Sequence, residues 1–395
     1  MAMQPLLSVC LIARNEESSL PRALQSVRAV ADEIIVADTG STDGTEQVAR
    51  DFGAVVCHFP WCEDFSAARN FAISQAHGDW IFWLDADEEL LLDSADALRS
   101  CIARDKALAY FVRRQDLRQA DRLDYYTMMW QLRLFRRRDD LRFQGRCHPD
   151  FRPDIHEIAD RIGFQVYPSS ITMRHYGYIG ELRESKLRRG ARLMELELRE
   201  RPGQLYYLIE YGRTLLTLGE ERGHEVLAQA VAQVLPAINQ EQAPMPMVAQ
   251  LFDYVLQLPA GQWPAGLTPK LVEDLIRRWF PSSPPLLWVL ARRAVEAGRF
   301  EESEQLLRRL VRMGKDHSYD PWISFDPRLV GSGAKLNLGV CLVRQRKLEE
   351  ARSLFSELLK SPDHAVEARE YLGVIEPFLR QSGGGGMSYS FTQAS

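Results

Sequence analysis

Over the first 112 residues, short β-rich apolar runs alternate with segments whose apolar residues recur three or four positions apart. Strands are predicted over Leu7–Ala13, Glu33–Ala37, Ala54–Phe59, Trp80–Leu84 and Ala109–Val112. Helices are predicted over Ser19–Val27, Thr45–Asp51, Phe65–Gln75 and Ser94–Arg104, several with Ser, Thr or Asp near the start. Strict alternation of the two element types predicts an α/β domain, a mostly parallel sheet covered by helices. In such sheets ligands gather beyond the carboxyl ends of the strands, which is where chemistry is to be sought.

From about Arg113 to Ile179 the pattern becomes irregular and rich in Arg, Asp and aromatic residues, with Pro149, Pro153 and Pro168 interrupting helices. This stretch is expected to complete the acceptor side. Beyond Glu181 the chain turns helical, starting with the apolar stripe of Lys186–Glu200. Within Lys335–Pro362, Leu336, Gly339, Leu342, Ala351, Phe355 and Pro362 approach the spacing of a tetratricopeptide helix pair. Leu287–Val311 repeats it with Gly298 at the turn, and Leu208, Gly212, Leu215 and Gly219 form a weaker third copy. Gln240–Pro285 fits the register poorly. The expected organisation is an α/β domain over residues 1–180, an all-α tetratricopeptide-like domain over 181–382, and a glycine linker with a fused peptide over 383–395.

Composition narrows the class. The 395 residues are 46% hydrophobic and 26% charged, as in soluble globular proteins, and the net charge of -5 gives no global attraction to nucleic acid or an acidic membrane. The cysteines, Cys10, Cys57, Cys62, Cys101, Cys147 and Cys341, form no C-x-x-C pair, so buried thiols in a reducing compartment are expected rather than disulfides or zinc. Met1–Cys10 lacks the features of a signal peptide, and no apolar run approaches the roughly 20 residues of a membrane span. A cytoplasmic location and no membrane span are therefore expected. The arginine-rich run Arg133–Arg146 also contains Asp139 and Asp140, and is expected to be a solvated rim near an anionic ligand rather than a nucleic-acid site.

Two strand ends carry candidate chemistry. Trp80–Glu89 (WIFWLDADEE) delivers Asp85 and Asp87, one residue apart, into a loop where they can meet a hard divalent cation. Ile34–Thr45 (IIVADTGSTDGT) runs from a strand into a small-residue turn, where Asp38 can accept hydrogen bonds from a base or ribose. Asp43 and Thr45 fit helix capping equally well. A dehydrogenase would carry G-x-G-x-x-G after its first strand, but Ala13-Arg14-Asn15-Glu16-Glu17 stands there. An aspartyl phosphatase would carry a second acid where Thr39-Gly40 stands.

Taken together, Leu7–Glu17 (LSVCLIARNEE), Glu33–Thr45 (EIIVADTGSTDGT), Phe65–Asn70 (FSAARN) and Trp80–Leu90 (WIFWLDADEEL) resemble family 2 glycosyltransferases of the GT-A fold. His156-Glu157 and His175-Tyr176-Gly177-Tyr178 resemble the branch with tetratricopeptide-like helices after the catalytic domain, which includes bacterial peptide and protein glycosyltransferases such as those that modify glycocins. The resemblance implies a nucleotide-sugar donor, Asp38 at the base and Arg69 close to the nucleotide, with Ala13, Arg14, Glu16 and Ala86 lining the donor site. It implies a divalent metal, Mn2+ or Mg2+, at Asp85 and Asp87, with Asp87 the direct ligand and His175 completing the set. Arg14, Lys186 and Arg189 are candidate cations for the diphosphate.

The resemblance also implies single displacement with inversion, for which a carboxylate must take the acceptor proton. Glu157 is the expected base, with His156 orienting its loop and Glu88 and Asp150 in reserve. The leading expectation is a metal-dependent inverting transfer from a UDP-sugar to a peptide or protein bound by the helical repeats. Transfer to lipopolysaccharide core or another glycan, and a non-catalytic scaffold, are the alternatives. In the tail MSYSFTQAS, Ser388, Tyr389, Ser390, Thr392 and Ser395 are candidate acceptor hydroxyls.

Overall fold

In the computed structural model, residues 6–151, 153–177, 179, 182–259 and 262–382 are described. The strands are β1 (Leu7–Ala13), β2 (Glu33–Asp38), β3 (Val55–His58), β4 (Trp80–Trp83), β5 (Glu88–Leu90), β6 (Ala107–Leu117), β7 (Tyr126–Arg136), β8 (Phe143–Gln144), β9 (Asp150–Phe151) and β10 (Gln165–His175). Among them run α1 (Leu20–Val27), α2 (Thr45–Asp51), α3 (Phe65–Ser74), α4 (Ala95–Ile102) and α5 (Ile155–Ile162). Then follow α6 (Leu182–Glu200), α7 (Leu205–Thr217), α8 (Arg222–Val234), α9 (Val248–Gln257) and α10 (Pro269–Trp279). The chain closes with α11 (Pro284–Glu296), α12 (Phe300–Asp316), α13 (Ser332–Arg344), α14 (Leu348–Leu358) and α15 (Ala365–Ser382).

The main sheet has eight strands in the order β3-β2-β1-β4-β7-β6-β10-β5. The β1–β2, β2–β3, β1–β4 and β6–β10 pairings are parallel, whereas β4–β7, β6–β7 and β5–β10 are antiparallel. Strands β1, β2 and β4 are apolar on both faces because both are covered. Side chains alternate between the two layers: Val9, Leu11, Val36 and Phe82 pack with α1 and α4, while Cys10, Ile35, Ile81 and Trp83 pack against Ala72 of α3 and Ile158 of α5.

The stretch 113–179, expected to be irregular, instead supplies much of three long strands. Strands β6, β7 and β10 are each 11 residues long, and alternating polar positions at their distal ends obscure them in the sequence. Pro168 sits in β10 where its register against β6 shifts, so the missing N–H does not interrupt a regular ladder.

The chain divides into two compact units, Met1–Val234 and Leu235–Ser395. The domain boundary is expected at 180/181, but α6 and α7 fall in the first unit, bonded to the segment between β8 and β9. Glu197 of α6 is wholly buried and accepts from the Arg146 backbone N at 3.0 Å, and Tyr207 of α7 donates to the Cys147 carbonyl at 2.6 Å. The weaker repeat copy, α7 and α8, therefore lies in the first unit. Its Gly212 lets the helices touch, since a Cβ there would lie 2.6 Å from Leu227.

In the second unit the expected repeats are the pairs α11–α12 and α13–α14, with Gly298 in the left-handed region (φ 73°) between the first two. Of the prolines of 240–285, Pro269 opens α10 and Pro284 opens α11, while Pro244, Pro246, Pro259, Pro264 and Pro281 lie between helices. All the cysteines are free, and Cys10, Cys147 and Cys341 are buried; Cys62 is exposed, contrary to expectation. Among the described residues no helix is long and apolar enough to cross a membrane.

Candidate functional site

Asp85 and Asp87 follow β4 at the carboxyl end of the sheet, on a turn closed from within. The Glu88 backbone N donates to the Asp85 carbonyl at 3.0 Å, and the Asp85 N donates to Glu88 Oε2 at 2.8 Å. Asp85 is fully engaged by its surroundings. Its Oδ1 accepts from Trp83 Nε1 at 2.9 Å and Arg69 Nη2 at 3.3 Å, and its Oδ2 from Arg133 Nη2 at 3.0 Å. Burial alone would push this carboxyl upward, but Arg133 and Arg69 outweigh it and hold Asp85 well below the usual carboxylate range. The Arg69 guanidinium is fixed in turn by rings, 4.7 Å from the Trp83 centroid and 5.2 Å from that of Phe143.

Asp87 faces a different set of partners. Its Oδ2 accepts from Lys186 Nζ at 2.7 Å, and its Oδ1 lies 3.5 Å from His175 Nε2. Burial would raise the Asp87 carboxyl, but His175 and Lys186 hold it well below the ordinary range. The other nitrogen of His175, Nδ1, lies 2.7 Å from Asp116 Oδ1, which fixes the ring. Burial and Arg114 push the imidazole down, yet its bonds to Asp116 and Asp87 prevail and raise it to about 9. Sheet register explains this meeting: His175 pairs with Asp116 across β6–β10 and with Glu88 across β5–β10.

Whether these residues fit a divalent ion is decided by which donor atoms remain available. Asp85 is committed to two arginines. Asp87 and His175 present an oxygen and a nitrogen beside Gly177, where a Cβ would come within 2.3 Å of Asp87 Oδ2 and 2.4 Å of His175 Nε2. Asp87 Oδ2, the oxygen beside Gly177, is held by Lys186, so this oxygen and the His175 imidazole are donors of the type a manganese or magnesium ion takes only once the ammonium gives way.

Across the sheet, Asp38 ends β2 and is 3% exposed. Its Oδ2 accepts from the Gly40 and Ser41 backbone N atoms, each at 2.9 Å, a turn that needs Gly40 at φ 102°. Asp38 Oδ1 is buried with no hydrogen-bond partner, an acceptor left for a ligand N–H or O–H. The loop after β1 is laced to the same turn: the Asn15 N donates to Ser41 Oγ at 3.0 Å, and the Glu16 N to Thr45 Oγ1 at 2.7 Å. Asp43 Oδ1 accepts from the Thr45 N at 3.0 Å, one residue ahead of Gly44, which occupies the N-cap of α2 without a side-chain cap.

The other expected residues fall at varying distances from this centre. Ala13 and Ala86 are buried, Ala13 giving its carbonyl to the Thr39 N at 2.9 Å. Glu16 is half-buried, and burial followed by the nearby Asp87 charge raises its carboxyl despite the Ser19 hydrogen bond. Arg14 is exposed, and Arg189 lies over the Phe65 ring at 5.7 Å. Glu157 and His156 are not brought to Asp87. They occupy the exposed first turn of α5, where His156 stacks on Phe111 at 6.1 Å. Phe111 lies on the opposite face of β6 from Asp116, five residues or about 17 Å back along the strand. Of the reserves, Glu88 is fully buried under Arg133, and Asp150 lies in β9. Ser388, Tyr389, Ser390, Thr392 and Ser395, like Tyr178, lie outside the described residues.

Sequence reasoning missed Arg133, Arg114 and Asp116. The run beginning at Arg133 is a solvated rim only in part: Arg137, Asp139 and Arg142 are exposed, but Arg133 is 3% exposed and bridges Asp85 and Glu88, and Arg136 and Arg137 donate to the Ala107 and Gly78 carbonyls. Arg133 is aimed there by a bulge, since Tyr110 pairs with Leu134 while Phe111 pairs with Leu132. Nothing in the sequence marks that extra residue.

Residues 8–151 match the model of glycosyl transferase family 2, and residues 289–365 that of the tetratricopeptide repeat. The chain thus carries a family 2 glycosyltransferase domain and a tetratricopeptide repeat. Asp38, Arg69, Asp85 and Asp87 fall inside the first match, and His175 and Lys186 beyond it. A TPR repeat-containing protein of Synechococcus elongatus is 38% identical over 218 residues, covering 54% of this chain and 53% of the relative. An uncharacterized glycosyltransferase of Rickettsia typhi is 37% identical over 110 residues, 27% of this chain and 37% of that one. The SPbeta prophage-derived glycosyltransferase SunS of Bacillus subtilis is 29% identical over 226 residues, 55% of this chain and 51% of SunS. The chain thus spans about half the length, or less, of these relatives.

Proposed function

We propose that the protein transfers a sugar from a nucleotide-diphosphate sugar, a UDP-sugar, to a hydroxyl side chain of a peptide or protein, by single displacement with inversion. The observation that carries this reading is the pairing of Asp87 with His175 and Lys186 at the carboxyl end of the sheet, facing the same edge as the unfilled acceptor oxygen of Asp38.

In this reading Asp38 Oδ1 receives a hydrogen bond from the nucleoside, and Asp87 and His175 hold a divalent metal, Mn2+ or Mg2+. That ion, when bound, supplies positive charge to the departing diphosphate. Lys186 and Arg69 add fixed positive charge beside it, and the low position of the Asp85 and Asp87 carboxyls keeps both anionic at neutral pH. Arg133 and Glu88 set the turn and are positioning residues. The tetratricopeptide helices favour a polypeptide acceptor, because stacked helix pairs offer an extended surface to a chain. The division into a domain ending near 180 and a helical one after it becomes, on this reading, a donor module to Val234 and a chain-binding module beyond it.

A panel of nucleotide sugars with manganese, read by intact-protein mass spectrometry of the full chain and of added peptides, tests the proposal. A gain of one sugar mass from a UDP-sugar is expected. Sugar transfer confined to a glycan acceptor would overturn the peptide assignment, and no nucleotide binding with or without metal would overturn the whole.

A further inference from the structure

Beside the acidic turn stands an aromatic wall with no part in the chemistry above. Trp61 and Phe65 meet edge to face with ring centroids 4.9 Å apart, and the Arg189 guanidinium lies 5.7 Å from the Phe65 centroid. Both rings are half-buried and Arg189 is exposed, so the group has a side open to a ligand.

Two helices fix its distance from Asp85 and Asp87. On α3, Phe65 stands one turn before Arg69, whose Nη2 is 3.3 Å from Asp85 Oδ1. On α6, Arg189 stands three residues after Lys186, whose Nζ is 2.7 Å from Asp87 Oδ2. Residues three or four apart on a helix are neighbours, with Cβ atoms about 5–6 Å apart. Each helix therefore sends one side chain to the acids and another, one turn further out, to the contact between Phe65 and Arg189.

The wall lies on the other side of the sheet from Asp38. Side chains alternate along β2, so Asp38 shares the layer of Val36, with α1 and α4, whereas α3 packs in the opposite layer with Ile35 and Trp83. A base held by Asp38 is thus across the sheet edge from Trp61 and Phe65. The loop that carries Trp61 is also strained: Glu63 has φ 60°, a conformation that costs free energy in any residue but glycine. Arg146 holds it there, its carbonyl accepting from the Phe65 N at 3.0 Å and its Nη1 donating to the Glu63 carbonyl at 3.1 Å. Arg192 Nη2 adds a contact to Glu63 Oε1 at 2.6 Å.

We propose that Trp61 and Phe65 wall the subsite for the transferred sugar, whose pyranose lays its C–H face on the Trp61 ring with Arg189 at the rim. Pyranose C–H groups carry slight positive charge and suit the negative face of an aromatic ring. The assignment rests on the proposed donor: the sugar is bonded to the diphosphate beside Asp87, and a pyranose reaches about as far as one helix turn, roughly 5.4 Å.

Calorimetry on the full chain with UDP, UDP-glucose, UDP-galactose and UDP-N-acetylglucosamine, each with manganese, tests the wall. Trp61→Ala is expected to weaken UDP-sugar binding about tenfold and to leave UDP binding within about twofold, with the fold intact by circular dichroism. Trp61→Phe, which keeps an aromatic face, is expected to recover most of the loss. Equal losses for UDP and UDP-sugars, or no loss for either, would overturn the proposal. A second arm needs no nucleotide. In saturation-transfer NMR with methyl glucoside, methyl galactoside and methyl N-acetylglucosaminide, saturation of the aromatic protons is expected to reach the pyranose protons in the wild type and not in Trp61→Ala. If UDP does not bind at all, the donor reading fails and this arm alone decides the wall: transfer that is absent from the wild type, or unchanged in Trp61→Ala, overturns it.

Discussion

Arg133 lies 3.0 Å from Asp85, its Nη2 donating to the Asp85 carboxylate while also reaching Glu88 at 2.7 Å. One buried guanidinium therefore secures both ends of the turn that presents Asp87. Replacing it leaves two carboxylates in a dry site without their main countercharge. Arg133→Met is expected to lower the free energy of unfolding by about 3–5 kcal/mol in urea denaturation. A change below about 1 kcal/mol would mean that Arg114 and Arg69 suffice.

Gly177 holds open the space between Asp87 and His175. The Cβ of Gly177→Ala would fall within 2.4 Å of both side chains. Affinity for Mn2+, measured by calorimetry, is expected to drop about tenfold or more, a loss of roughly 1.4 kcal/mol or more. The melting temperature is expected to fall as well, because His175 is held by Asp116 and Asp87 by Lys186, and one of these buried contacts must give way to the added carbon. Unchanged affinity would place the ion elsewhere.

Glu157 stands on the far side of β6 from the Asp87 turn, so Glu157→Gln should keep sugar transfer within about threefold of the wild type. Asp87→Asn should reduce it by about a hundredfold or more, the scale of removing one electrostatic contact to developing charge. A collapse of turnover in Glu157→Gln with donor binding intact would restore Glu157 as the base.

The second unit contains a separate electrostatic device. Burial would raise the carboxyl of Glu304 on α12, but hydrogen bonds from Lys347, Arg308 and Gln345 outweigh it and bring the group down to about 2. A carboxyl lowered on folding stabilises the protein above its unfolded value of about 4.3, and the effect is lost as pH falls toward 2. The melting-temperature gap between wild type and Glu304→Gln should therefore be widest at about pH 6–7 and shrink steadily below about pH 5. A gap independent of pH would show that the contacts act only by packing.

Much of the donor half was legible in the chain. β1 lies at Leu7–Ala13 and α2 at Thr45–Asp51, as predicted, because a sheet covered on both faces writes itself as apolar runs between amphipathic helices. Asp38, Asp85 and Asp87 stand at strand ends as the pattern implies. The acceptor half was obscured because β6, β7 and β10 carry arginines and acids along their distal ends, so periodicity fades where the strands leave the core. Glu157 rests on a short local sequence, and its place in the exposed first turn of α5 was not legible there.

The alternation of strands and helices in the first hundred residues, the strand-end acids and the small residues between paired helices follow from the sequence alone, since they depend on contacts a few residues apart. Which charges meet was settled by tertiary structure. The bulge at Arg133, the register that sets His175 beside Asp116, and the packing of α6 that carries Lys186 to Asp87 each join residues far apart in the chain. Pairing across a sheet depends on strand order and register, and neither leaves a periodic trace in the strands it joins.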